Sequence, residues 1–137
     1  MKNSTVVKNI ILAKGTRLYR KYFSELLESN GFKVIGLAAT EAELFELLKT
    51  NKPDILIYDI FLTSSNFEIT IKKIISISPD TKLIVTGEDY SVIVESAMSL
   101  GASGFFDEDI LDIDIILDAI KRIGSGETVT LTRENAV

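Results

Sequence analysis

Few residues in this chain can do chemistry, and their positions follow a pattern. Lys14 and Gly15, Asp59, Thr86 and Gly87, and the acidic run Asp107-Glu108-Asp109 each come just after a short apolar segment. Histidine and cysteine are absent, with counts of 0. That excludes Ser-His-Asp and Cys-His nucleophiles, thiolate or imidazole metal sites, and disulfides. What remains is carboxylate, hydroxyl, ammonium, guanidinium and the backbone dipole. A carboxylate can ligate a hard cation through a shell shared with water, or it can pair with a nearby ammonium instead. Glu88 and Asp89 are two further acids beyond Gly87. Adjacent loop acids are ordinarily solvated, so no metal is expected on them.

The segments that carry these residues read as strands. They are Asn9-Ile10-Ile11-Leu12-Ala13, Lys33-Val34-Ile35-Gly36-Leu37, Asp54-Ile55-Leu56-Ile57-Tyr58, Lys82-Leu83-Ile84-Val85-Thr86 and Ser103-Gly104-Phe105-Phe106. They are near-continuously apolar rather than alternating, as strands buried on both faces of a parallel sheet are. Between them run stripes of helical period: Leu18, Tyr22, Phe23, Leu26 and Leu27; Leu44, Leu47 and Leu48 behind a Thr40/Glu43 capping box; and Phe67, Ile71, Ile74 and Ile75. Val94, Ala97 and Met98 form the fourth stripe and Ile113, Ile116, Leu117 and Ile120 the fifth, with Gly124 as its expected stop. Strand and helix alternating with short connections predict right-handed crossovers and a doubly wound α/β sandwich. Residues distant in sequence then meet beyond the carboxyl ends of the strands, where such sheets bind ligands. Asp59 ends the middle strand and is the central candidate.

A chain of 137 residues fits one domain, and 46% hydrophobic with 26% charged residues is ordinary globular composition. Lys+Arg 15 against Asp+Glu 20 gives a net charge of -5, which argues against a surface that holds nucleic acid by charge. No apolar stretch approaches the ~20 residues of a membrane span, and no membrane partner is expected. The lack of cysteine fits a reducing, cytoplasmic setting. Residues 1–126 are expected to form the domain, with 127–137 a polar tail that is at most partly ordered.

The series Pro53-Asp54-Ile55-Leu56-Ile57-Tyr58-Asp59, Leu83-Ile84-Val85-Thr86 and Gly101-Ala102-Ser103-Gly104-Phe105 resembles the receiver domain of bacterial response regulators. Leu12-Ala13, Leu18-Tyr19-Arg20 and Val34-Ile35-Gly36 resemble the branch that carries a LuxR-type DNA-binding output domain. The resemblance runs from residue 8 to about residue 126. It implies a flavodoxin-like (βα)5 fold with a five-stranded parallel sheet, and a signalling module rather than an enzyme. It also implies Asp59 as phospho-acceptor, Thr86 as the hydroxyl that grips the phosphoryl group, and Phe105 as the aromatic that reports the switch. Leu131-Thr132-Arg133-Glu134 resembles the opening of a LuxR-type helix-turn-helix domain, although no DNA-reading helix lies within these residues.

Three departures set this chain apart. Lys14 and Gly15 stand where the family has an acidic pair, Glu108 stands where it has a lysine, and Thr63 and Phe67 replace its usual Pro and Gly. A carboxylate that attacks a phosphoryl group needs a divalent cation to neutralise the developing charge. A fixed ammonium in the cation's place opposes Mg²⁺. Lys14 is therefore expected to pair with Asp59, Glu108 or both, leaving an atypical receiver that needs no cofactor. The alternative is a working phosphorelay receiver, charged on Asp59 by a histidine kinase with Mg²⁺ and controlling a transcription output. The expected partner is another protein or a second copy, met through the face of helix four, strand five and helix five, where Tyr90, Val92, Ile93 and Ile115 form an apolar patch. A flavin or nucleotide binder is disfavoured, since Lys14-Gly15-Thr16-Arg17 offers one glycine where a phosphate cradle needs several free amides.

Overall fold

The apolar runs become strands because their Ile, Val and Leu side chains pack on both sides of one sheet. The computed structural model describes residues 6–63 and 66–135. Strands β1 (Asn9–Ala13), β2 (Lys33–Ala38), β3 (Ile55–Asp59), β4 (Lys82–Gly87) and β5 (Gly104–Asp107) lie near the expected positions. Helices α1 (Arg17–Ser29), α2 (Glu41–Thr50), α3 (Phe67–Ile77), α4 (Ser91–Ser99) and α5 (Ile113–Gly124) connect and follow them. A 3-10 turn spans Ile60–Leu62 after β3. The order β2-β1-β3-β4-β5-β6, with every pairing parallel, includes a further strand β6 (Val129–Leu131).

β6 corrects two expectations: the sheet has six strands rather than five, and the tail is not merely a polar extension. Val129 and Leu131 alternate with Thr130, and both are buried against the α1–α5 side of the core. α5 ends at Gly124, its expected stop, and the chain turns back into β6 at Gly126, whose φ of 109° suits glycine. Leu131 thereby belongs to the domain's own sheet. The last residues of the tail, 136–137, lie outside the described residues.

Two apolar layers flank the sheet. Phe23 and Leu27 of α1 and Ile116, Leu117, Ile120 and Ile123 of α5 cover Ile10, Leu12, Ile57, Ile84 and Phe106 on one side. Leu44 and Leu48 of α2, Ile71 and Ile74 of α3 and Ala97 of α4 cover Ile11, Leu56, Tyr58, Val85 and Phe105 on the other. Local signals fix the helix starts. Thr40 accepts the Glu43 N–H at 3.1 Å while Glu43 reaches back to the Ala39 N–H at 2.7 Å. Asp112 accepts the amides of Asp114 and Ile115 at 3.1 and 3.3 Å.

Three helix stripes differ from expectation in part, and in α5 the departure is Ile113, which is exposed. Of the expected α1 stripe Phe23 and Leu27 are buried, while Leu18 and Tyr22 are turned away from the sheet and are 64% and 62% exposed. In α4, Ala97 is buried while Val94 and Met98 are half-covered.

Candidate functional site

The carboxyl ends of β1, β3, β4 and β5 converge. Asp59 is buried at the end of β3, where it caps the following turn: its Oδ1 accepts the Phe61 N–H at 3.0 Å. Its other oxygen, Oδ2, lies 3.1 Å from the Nζ of Lys14. Lys14 is positioned by its neighbours, its amide donating to Ala38 and its carbonyl accepting from Arg20 at 2.6 Å. The same ammonium sits 4.7 Å above the Tyr19 ring and 3.8 Å from Glu108 Oε2. Side-chain exposure is 13% for Lys14 and 6% for Asp59. A pair this sheltered is weakly screened by salt.

The structure thus brings Lys14, Asp59 and Glu108 together. Burial pushes the Glu108 carboxyl above its ordinary range, with Lys14 opposing that shift and Asp59 adding to it. Tyr19 is pushed up to about 12, first by burial and then by the Asp59 and Glu108 carboxylates. Thr86 pairs in register with Asp59 across β3 and β4 and is buried, yet its hydroxyl finds no hydrogen-bond partner among the described residues. Phe105 is fully buried on the opposite side of the sheet. Gly87 keeps the end of β4 close to the turn after β3: a Cβ there would stand 2.7 Å from Ile60 Cδ1.

The donor set does not suit Mg²⁺. An octahedral Mg²⁺ site takes one or two carboxylates with several waters and tolerates no fixed cation in the shell. Here Gly15 offers no side-chain oxygen, and Lys14 puts an ammonium beside Asp59. No group of three or more acidic side chains able to hold a metal is found among the described residues, and that includes the Glu88-Asp89 loop.

Two polar clusters escaped the sequence reading. Arg133 reaches back from the tail to Asp89, its backbone amide donating to Oδ2 at 2.7 Å and its guanidinium to Oδ1 at 2.9 Å. The same guanidinium lies 3.5 Å from the buried Asp107, which accepts the amides of Asp89 and Asp109 at 2.9 and 2.8 Å. Behind the turn after β3, Thr63 and Thr70 donate to Glu41 at 2.7 and 3.1 Å, and Tyr58 bonds to Thr63. Thr63 thus anchors its loop by its hydroxyl.

Fold, strand-end carboxylate and series of motifs coincide with one family. The response regulator receiver domain matches residues 10–121. This chain belongs to that family. It is a receiver domain of two-component signalling, built on the CheY-like parallel α/β fold. It is 29% identical over 99 residues to the chemotaxis protein CheY of Thermotoga maritima, spanning 72% of this chain and 82% of that one. It is 32% identical over 122 residues to the transcriptional regulatory protein LnrK of Bacillus subtilis, spanning 88% of this chain and 55% of LnrK. The chain therefore spans about half the length of that regulator. Among solved structures, a LuxR-family two-component response regulator from Aurantimonas sp. superposes with a TM-score of 0.83 at 22% identity, over 96% of this chain and 94% of that one. Receiver domains are signalling modules that meet histidine kinases and one another. No helix among the described residues is long and apolar enough to cross a membrane.

Proposed function

We propose that this receiver domain signals by binding a protein partner, and that Mg²⁺-dependent phosphorylation of Asp59 is impaired in it. The observation that carries the reading is the Lys14 ammonium 3.1 Å from Asp59. At that spacing and an effective dielectric of 20 the attraction is about 5 kcal/mol before desolvation is subtracted. A cation entering beside Asp59 must displace or repel that ammonium. Glu108 compounds the effect: a second carboxylate in place of a lysine gives an incoming phosphoryl group repulsion where the family supplies attraction.

The partner surface on the α4–β5–α5 side is remodelled by the tail. β6 lies along β5, and the exposed apolar contribution comes from Tyr90 and Val92 with Ile93 half-covered on the same helix, while Ile115 packs on the α1–α5 side of the sheet and lies apart from them. Thr132, Arg133 and Glu134 line the same groove as Tyr90 and Ser91. A protein or second copy docking there meets α4 and the tail together. Catalysis of its own is not part of this reading. Transcriptional control through an attached output domain is consistent with LnrK and similar regulators, of which the matched part is little more than half.

Mg²⁺ titration with and without beryllofluoride, followed by amide chemical shifts around Asp59, tests the proposal. The expected result is no saturable response to Mg²⁺ and no beryllofluoride adduct. A Mg²⁺-dependent adduct that vanishes in Asp59→Asn would overturn it.

A further inference from the structure

Helix α1 carries an apolar ridge that nothing covers. Leu18, Tyr22 and Leu26 follow one another four residues apart on one face. With Tyr19 beside them and Ile113 at the start of α5, they line an open apolar groove. Leu18 and Tyr22 are largely exposed, and contiguous exposed apolar surface marks an interaction site. The charges along the ridge indicate its occupant. Arg17, Lys21 and Glu25 form a second row, each one position before a ridge residue. All three are exposed, and none enters an ion pair among the described residues. Basic first and acidic later, this row runs against the helix's own dipole, which favours acid at the N-terminus. α2, α3 and α5 obey that preference, with Glu41 and Glu43, Glu68 and Asp114 in their first turns, whereas α1 has no acid there. Such a row is complementary to itself once reversed.

We propose that the α1 ridge binds a second copy of this chain, the two α1 helices packing antiparallel about a two-fold axis near Tyr22. Each residue of such a contact is met by its symmetry counterpart. Leu18 of one copy then faces Leu26 of the other, and Glu25 falls level with Tyr19, between Arg17 and Lys21. Both copies gain the same pairs, and the opposed helix dipoles add to them. A parallel pairing would set Arg17 and Lys21 against their own counterparts. One short ridge from each copy gives an interface of the small, transient class. The surface lies on the other side of the sheet from α4 and does not depend on the state of Asp59.

Sedimentation equilibrium of the full chain measures the association. A concentration-dependent dimer is expected, weakened about tenfold or more by Tyr22→Glu with the rest of the amide spectrum retained. Arg17→Glu combined with Lys21→Glu should weaken it to a similar degree, because Glu25 of the second copy then meets like charge. Adding Glu25→Lys to that pair should restore it. Since the chain has no cysteine, Ser29→Cys takes a single spin label. Mixed with ¹⁵N-labelled parent, the labelled copy should broaden the amides of Thr16 and Arg17 in its partner. The proposal is overturned if the chain stays monomeric at about 1 mM, if Tyr22→Glu dimerises like the parent, if Glu25→Lys restores nothing, or if the broadening falls around Ser29. A dimer lost in Tyr90→Glu but kept in Tyr22→Glu is the α4 and tail contact, and it overturns the α1 interface. A Mg²⁺-dependent beryllofluoride adduct in a chain that still dimerises through α1 would sink the earlier reading alone.

Discussion

At Lys14 one side chain both fills a charge vacancy and supports a fold element. Its ammonium neutralises a carboxylate that is itself the cap of the turn after β3. Removing one member of a sheltered pair strands the other, which generally costs 3–5 kcal/mol. Lys14→Ala is therefore expected to lower unfolding free energy in urea by about 3 kcal/mol. The double replacement Lys14→Met with Asp59→Leu should recover to within about 1 kcal/mol of the parent, since neither charge is then stranded. Glu108 gives a pH signature of opposite sign to the usual carboxylate. Its folded pKa is raised, so the folded state holds the proton more tightly than the unfolded chain does. Stability from this group is full below the ordinary glutamate range and declines as pH rises through the raised value. Glu108→Gln should flatten that decline in urea titrations across the acid-to-neutral window.

Among the elements, the five expected strands and helices were legible because each is long enough for period and composition to speak. β6 was not. Val129–Leu131 is three residues long, too short for alternation to stand out from a polar tail, and its burial depends on β5 and α5 arriving beside it. The convergence of Lys14, Asp59 and Glu108 could be read from strand ends and motif spacing. The Arg133–Asp89 pair joins residues 44 apart with no local pattern to announce it. Thr86 sits at the expected strand end, but an unpartnered hydroxyl is a property of packing and has no sequence signal. Leu18 and Tyr22 fit a helical stripe on paper, yet the angle at which α1 lies on the sheet decides which part is covered. Arg133 also holds Asp89 down to about 2, mainly through its side-chain and backbone hydrogen bonds. A depressed carboxylate contributes stability above the ordinary aspartate range and loses it as pH falls toward that value. Arg133→Ala removes the guanidinium but keeps the backbone donor, so it should raise Asp89 part of the way toward the ordinary range in an NMR titration. The same variant should speed amide exchange in β6 while β1, β3 and β4 keep their protection.

Across the whole molecule, the fold retains the frame of a phosphorylation switch while the charges at its centre are rearranged. That separation makes the frame testable by repair. Gly15 has no positive φ, and a Cβ there meets Leu62 at an ordinary 3.7 Å, so the position tolerates a side chain. The triple variant Lys14→Asp, Gly15→Asp, Glu108→Lys is expected to gain saturable Mg²⁺ binding by calorimetry, with the parent showing none. Failure of the triple variant to bind Mg²⁺ while remaining folded would place the obstacle elsewhere than in these side chains. The Lys14–Asp59 contact has one more consequence. A positive charge encoded in the gene arrives at translation and departs at proteolysis, with no enzyme to add it or strip it away. A cell listening to such a domain would be counting copies, and its control would rest on synthesis and turnover.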